Sequence, residues 1–495
     1  MTEPSQGVPW GPKVPPAAST VSPKAPGVSP AASKAPQGGG PWLPWVLSAV
    51  FLALGFLVWQ PFPPGIWHDD GVYVLLGRAL AEGEGLRYLG VTGNPPAPKF
   101  PPLFPLVLSL VWRVFPSFPE NVTVLSGVNV VVTALAGGAF FAYLRRALRI
   151  DLNPALLITL AAWASAHLWR VAAVPLSEPL FLLLMIGALW AGARMEARPR
   201  PETALVFLLM AGLAVHTRTL GIALLLGGIL SLAVSKEGKL ALLTAVGALA
   251  LVLPWTLWTA GAASEIPAPL RDTLGPYGGW LLSQVAGQPV EFGAFAWTNA
   301  GSLLARILNL LLPGIPGRWL LLGLPLIPVL VAGLWDLLLR SRILVFGLAG
   351  SLGILVLWPF QEIRLVVPFQ PLLVAALVMG FLRILKALPE RRPARMALLG
   401  VSGIWLTLFL AVSLLRLGGG WVGEAYRIRS EALLEGVRAV VEKTPPEAVV
   451  GAPELWAALH LYTGRTVTPS ARFRPLARET PVQGTPEAQY ETWIG

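Results

Sequence analysis

Pro101-Pro102-Leu103-Phe104-Pro105-Leu106-Val107-Leu108-Ser109-Leu110-Val111-Trp112-Arg113-Val114-Phe115 is the stretch that decides how this chain is laid across a membrane. It is apolar but short, whereas a helix needs roughly 20 residues to cross a bilayer. Pro105 sits inside it, where it removes a helical hydrogen bond, and Arg113 stands close to its end. A stretch so short and so interrupted reads as interfacial or re-entrant, lying along the membrane rather than passing through it.

The rest of the sequence shows why that matters. Of 495 residues, 55% are hydrophobic and only 13% are charged, too apolar for an ordinary soluble domain. Apolar stretches of spanning length recur, without the alternating pattern of an outer-membrane barrel. The fold class is therefore an α-helical polytopic membrane protein. Spans are expected at 42–60, 121–144, 152–172, 175–194, 203–217, 219–235, 239–260, 319–339, 343–360, 366–388 and 396–415. If 101–115 stays on one side, the basic clusters Arg145/Arg146/Arg149, Arg194/Arg198/Arg200, Lys236/Lys239, Arg340/Arg342 and Lys386/Arg391/Arg392/Arg395 all face the cytoplasm, with Lys13, Lys24 and Lys34. If it crosses, every later cluster is turned outward. Splitting 203–235 at Arg218 follows from the same rule. About eleven transmembrane helices result, with a cytoplasmic N-terminus and an outer C-terminus, in a multi-pass protein of the inner or plasma membrane.

Residues 1–40, rich in Pro, Ala, Ser and Gly, are expected to form a disordered cytoplasmic tail; they lack the order of elements of a signal peptide. The transmembrane domain covers 41–416. It leaves outside a large first loop at 61–120, with juxtamembrane helices, and a second at 261–318. Residues 417–495 mix an amphipathic helix at 426–442, a strand-like 448–450 and a second helix near 454–462. They read as a small extracytoplasmic α/β domain near the lower size limit for folding alone. The net charge of +11 suits basic loops facing anionic lipid, so the bilayer is the expected partner and nucleic acid is not. The chain has no cysteine, which excludes disulfides, thiolate metal sites and a cysteine nucleophile.

Charged residues that cannot reach a basic loop are the functional candidates. No formal charge occurs from Ala35 to His68, and then Asp69 and Asp70 stand side by side. Like charges this close resist joint ionisation, which makes the pair a candidate acid/base site, with an ordinary polar loop as the alternative. Lys99, Glu178, Arg218, Glu362 and Arg364 also fall at outer ends of spans, although the topology came from the cytoplasmic clusters alone. Snorkelling to outer headgroups is the competing reading for Arg218 and Arg364, and the better one for Arg170, beside Trp169. His167 and His216 read as satisfied interior histidines, since no second ligand stands at helical spacing. An outer cavity with carboxylates and cations fits an anionic, lipid-attached substrate: the cations hold a phosphate and a carboxylate removes a proton from an acceptor hydroxyl.

The residues then resemble the GT-C superfamily of membrane glycosyltransferases, nearest to the bacterial protein-mannosyltransferase and aminoarabinose-transferase type. Such proteins carry an Asp-Glu-x-x-Tyr-like motif in the first outer loop, which here reads Trp67-His68-Asp69-Asp70-Gly71-Val72-Tyr73. A Lys/His-x-Pro-Pro-Leu-Tyr-Pro-like segment is matched by Lys99-Phe100-Pro101-Pro102-Leu103-Phe104-Pro105. Ser177-Glu178-Pro179-Leu180, Thr217-Arg218-Thr219-Leu220-Gly221 and Arg364-Leu365-Val366-Val367-Pro368-Phe369-Gln370-Pro371 follow in order, and Leu461-Tyr462-Thr463-Gly464-Arg465 is also similar. The resemblance spans about residues 42–470.

It implies a GT-C-like fold and a polyprenyl-phosphate monosaccharide donor, with inversion at the sugar carbon. Carried over by position, Asp69 is the general base toward the acceptor, Lys99 and Arg364 meet the lipid phosphate, and Arg218 joins them. His68, Tyr73, Glu178 and Glu362 are further site candidates. Asp70 replaces the more usual Glu, and orienting the acceptor or binding a divalent ion with Asp69 both remain open. No cofactor is expected to be required. The acceptor is a protein, lipid or polysaccharide. The alternatives are a transporter or flippase of a lipid-linked sugar, or a non-catalytic assembly subunit of the same fold.

Overall fold

The structure, a computed structural model, describes residues 40–470 except 316, 391, 392 and 454. The expected N-terminal tail (residues 1–39), Arg391, Arg392 and the last part of the C-terminal domain lie outside the described residues.

Each of the eleven expected spans coincides with a helix: α1 (Leu43–Val58), α4 (Val122–Arg146), α5 and α6 (Leu152–Trp163 and Ala166–Ala172), α7 (Glu178–Ala197), α8 (Pro201–Thr217), α9 (Ile222–Val234), α10 (Gly238–Glu265), α14 (Leu326–Arg340), α15 (Arg342–Val356), α16 (Gln370–Ala387) and α17 (Pro393–Gly418). Among the described residues, five helices are long and apolar enough to cross a membrane on length and composition alone, or six if α5 and α6, bent by 56°, count as one span. The others are shorter. The chain breaks between α8 and α9 at Arg218, whose backbone is extended at φ −149°. That break is where the charge count required one.

The segment 101–115 forms α3 (Leu103–Val114), about 18 Å long at 1.5 Å per residue and too short for a hydrocarbon core of roughly 30 Å. Phe104, Leu108 and Trp112 bury one of its faces against α2 (Asp69–Glu82), where the Trp112 indole N–H donates to the Val74 carbonyl at 3.1 Å. Leu106, Leu110 and Val114 leave its other face apolar and exposed. A helix with that second face is suited to lie at a bilayer surface.

The segment at 261–318 is largely helical: α10 extends into it to Glu265, and α11 (Arg271–Leu274), α12 (Tyr277–Gly287) and α13 (Pro289–Leu311) follow. The end of α13 packs among the spans, since the Leu311 carbonyl accepts from the Trp405 indole at 2.9 Å and Leu310 from Gln370 at 3.1 Å. Helix α16 is the centre of the bundle, buried along nearly its whole length. It crosses α14 at Gly333 and Gly380, where a Cβ would fall 1.6 and 1.9 Å from a backbone carbonyl oxygen of the other helix. Only glycine permits that approach.

The C-terminal part comprises α18 (Trp421–Lys443), β1 (Val449–Ala452), α19 (Trp456–Thr463) and β2 (Thr466–Pro469). The two strands pair in parallel, Val449 opposite Thr466 through Ala452 opposite Pro469. β2 was not expected. Its Val467 also bridges Val91 of the first loop, donating its N–H to the Gly90 carbonyl at 2.7 Å. A piece this small escapes the size limit because it builds on the first loop instead of on a core of its own.

Candidate active site

The site grows from one turn ahead of α2. His68 stands at φ 62° and ψ −66°, and the Asp69 N–H reaches back to the Trp67 carbonyl at 2.7 Å. This is a γ-turn of the rare, strained hand. Asp70 braces it: its two carboxylate oxygens accept the Gly65 and Trp67 N–H groups, each at 2.9 Å, and it has no exposed surface. Burial pushes the Asp70 carboxyl up to about 6, against those backbone donors, which favour the charged form. Asp70 does not line the cavity described below. Among the described residues no three His, Asp or Glu side chains gather as a metal site.

Asp69 is turned the other way. Its carboxylate meets Arg364 Nη2 at 2.6 Å. Arg364 also pairs with Glu362 through Nε and stands 3.7 Å from Glu178 Oε1. Glu178, buried in the first turn of α7, meets Arg218 Nη1 at 2.9 Å. Arg218 in turn donates to Ser177 Oγ at 2.9 Å, and that hydroxyl exchanges a 2.9 Å hydrogen bond with the Tyr73 hydroxyl. One network thus joins residues from α2, α7, the α8–α9 break and the turn before α16. Burial works against the charge of Asp69, but Arg364, His68 and Lys99 outweigh it and hold the carboxyl below its ordinary range.

Lys99 comes from the first loop, just ahead of α3. Its ammonium donates to the Thr273 carbonyl at 3.0 Å and lies 4.4 Å from the Tyr277 ring centre. Burial pulls it down to about 8, against the attraction of Asp69, so at neutral pH it is still a cation. His68 packs its ring 5.8 Å from Trp456 of α19.

These side chains enclose a cavity of about 530 Å³, lined by His68, Asp69, Tyr73, Lys99, Arg218, Glu362 and Arg364 among others. Seven separate stretches of the sequence therefore meet at the cavity. Of the candidates, Asp70 and Glu178 do not line the cavity; Glu178 stands behind its wall, against Arg218 and Arg364. Four of the lining residues were not anticipated as contributors. Trp67 lines the cavity with the guanidinium carbons of Arg429, Arg170 and Arg364 at 4.1, 5.7 and 5.8 Å from its ring centre. Arg429 of α18 lines it too, donating to the Ile66 carbonyl at 3.3 Å. Tyr277 and Thr273 come from a stretch with no motif. Trp67 stood inside the quoted motif and could have been singled out; Arg429 carries no signal beyond an amphipathic helix.

A helical bundle of this connectivity, with an acidic turn ahead of α2 and the short helix α3 packed on α2, has a GT-C-like fold of the polytopic membrane kind. No protein-family model and no curated protein matches the chain. Among solved structures, ArnT from Cupriavidus metallidurans in the apo state is similar over 87% of this chain and 86% of its own, at 14% identity and a TM-score of 0.53. The same protein bound to undecaprenyl phosphate covers the same shares at 16% identity and a TM-score of 0.51. Arabinofuranosyltransferase AftD from Mycobacteria matches 84% of this chain but 30% of its own, at 16% identity and a TM-score of only 0.38.

Proposed function

We infer that this chain is an integral-membrane glycosyltransferase that moves a monosaccharide from a polyprenyl-phosphate donor to an acceptor on the extracytoplasmic face. The observation that carries the reading is one cavity wall holding a single accessible aspartate, Asp69, together with Lys99, Arg218 and Arg364. Binding of undecaprenyl phosphate by a protein of the same fold supports the donor class.

In the proposed reaction the acceptor hydroxyl oxygen forms a bond to the anomeric carbon as the bond to the phosphate oxygen breaks. Polyprenyl phosphate leaves with the electron pair, the acceptor proton passes to Asp69, and one displacement inverts the sugar carbon. Arg364 is held by three carboxylates, those of Asp69, Glu362 and Glu178. A donor phosphate would compete for that guanidinium, and loosening its pair with Asp69 would make the aspartate a stronger base. Lys99 would complete the phosphate cradle. Asp70 is a positioning residue in this reading: it holds the strained turn that aims Asp69. No step needs a metal ion.

The test is Asp69→Asn in the purified, reconstituted chain supplied with a polyprenyl-phosphate sugar. Sugar transfer should fall at least ~100-fold while donor binding persists. Turnover at the wild-type rate would remove Asp69 as the base. Transport of the donor across the bilayer without transfer would replace the enzyme by a flippase.

A further inference from the structure

Outside the cavity, two arginines converge on one indole. Arg170 of α6 and Arg416, close to the end of α17, place their guanidinium carbons 5.0 and 4.6 Å from the centre of the Trp421 ring. Arg170 lies 5.3 Å from the Tyr426 ring as well, and the Tyr426 hydroxyl donates to the Arg170 carbonyl at 2.7 Å. Arg416 donates to His167 Nε2 at 3.3 Å. Neither arginine pairs with a carboxylate among the described residues. The buried Nε of Arg170 has no hydrogen-bond partner there.

Two half-buried cations on one ring repel each other. Aromatic faces compensate only in part, at about 0.5–2 kcal/mol per contact. An anion between them turns the repulsion into two attractions, and guanidinium groups match the oxygens of a phosphate.

The surroundings say where that phosphate comes from. Leu414 and Leu415, just before Arg416, are exposed apolar residues on a membrane helix. Leu57, at the end of α1, is exposed too, and Trp169 beside Arg170 packs against α1 at Gly55. The arginine pair therefore sits at the rim of a lipid-facing surface. It also brackets a hinge: Gly418 ends α17, and Gly419 and Gly420, the latter at φ 71°, lead into Trp421 at the start of α18. All three glycines are exposed.

We propose that Arg170 and Arg416 bind the phosphate of an anionic membrane lipid, which fastens the C-terminal domain to the bundle at its glycine hinge. The site is separate from the catalytic cavity and does not depend on the glycosyltransferase reading. Trp67 touches both, since it lines the cavity and lies 5.7 Å from the Arg170 guanidinium.

The full chain, stripped of lipid and reconstituted with phosphatidylglycerol or phosphatidylcholine, tests this by native mass spectrometry and by limited proteolysis at the hinge. The wild-type chain should retain one phosphatidylglycerol at least ~10-fold more tightly than phosphatidylcholine. Cleavage at Gly418–Gly420 should be slower in phosphatidylglycerol bilayers. Arg170→Gln combined with Arg416→Gln should abolish the retained lipid, whereas Arg416→Lys should keep much of the preference. Undiminished retention by the double glutamine variant overturns the proposal. So does equal hinge cleavage of the wild-type chain in the two lipids, a comparison that needs no variant to fold. Equal protection by millimolar inorganic phosphate would mark a site for free phosphate and overturn the lipid assignment.

Discussion

Helix α7 carries a glutamate at each end, and the two are held in different ways. Glu196 accepts from Ser231 Oγ at 2.5 Å, from Ser341 Oγ at 2.8 Å and from the Ile343 N–H at 3.0 Å, with Arg342 at 3.7 Å. Those donors belong to α9 and to the junction of α14 and α15, so the carboxylate ties packed helices together. Glu178 lies ~27 Å away along the helix axis. It is buried, yet it meets only guanidinium groups, and neither of its oxygens has a partner in hydrogen-bonding geometry among the described residues. A carboxylate saturated by hydroxyl and backbone donors has a fixed structural job. One held by cations that line a cavity can lose them to a ligand, and so can respond to binding.

The contrast breaks most visibly at the site end. Glu178→Gln leaves Arg218 and Arg364 without their shared buried counter-charge, so turnover should fall by about 10- to 100-fold, with a stability loss on the order of 3 kcal/mol. Thermal melting and donor-dependent transfer on the same preparation would check both; wild-type kinetics would mean the network is inert.

Titration sharpens the same division between holding and reacting. Asp70 braces the turn as an anion, and Lys99 serves as a cation, so turnover should be highest between their values of about 6 and about 8 and fall on both sides. Stability should run the opposite way. The folded Asp70 binds its proton more tightly than the unfolded chain does, so stability rises as pH falls from about 6 toward 3.8. The folded Lys99 binds its proton less tightly, so stability also rises from about pH 8 toward 10.5. Each effect is on the order of 1–3 kcal/mol. Melting temperature and transfer rate measured across pH would show mirrored profiles; parallel ones would remove Asp70 and Lys99 from these roles.

At the far end, Glu196→Gln keeps one oxygen to accept from Ser231 and the Ile343 N–H, while its NH2 faces Ser341, whose hydroxyl must turn to accept. The substitution should cost ~1 kcal/mol in melting experiments and leave turnover within about twofold. A large loss of activity would mean that the two ends of α7 are coupled. The smallest effect is expected from Ser177→Ala, which removes the hydroxyl shared by Tyr73 and Arg218 at ~0.5–1 kcal/mol. Donor affinity should barely move.

Much of this was legible beforehand, for identifiable reasons. Apolar runs ended by basic clusters placed the helices, because burying a charge in hydrocarbon is costly enough to be written into the sequence. The shortness of 101–115 and the break at Arg218 were readable on the same ground. Asp69, Lys99, Arg218 and Arg364 stood out as charges with no cytoplasmic loop to reach. Arg429, Tyr277 and Thr273 could not be found this way, since an arginine on an amphipathic helix and a tyrosine in a connecting segment are ordinary until something folds onto them. β2 was missed because four residues that pair partly with the first loop have little pattern of their own.

The sequence by itself determined that the chain is a helical membrane protein, where its apolar helices lie, and which charges stand apart from the basic clusters. These follow from local composition against the dielectric of a bilayer. Only the tertiary structure showed what holds each member of the adjacent pair Asp69 and Asp70. Neighbouring residues on a helix point in different directions, and the partners that fix each role are chosen by folding. Gly65 and Trp67 hold one of them from within the same turn. Arg364, almost three hundred residues further along, meets the other across the cavity.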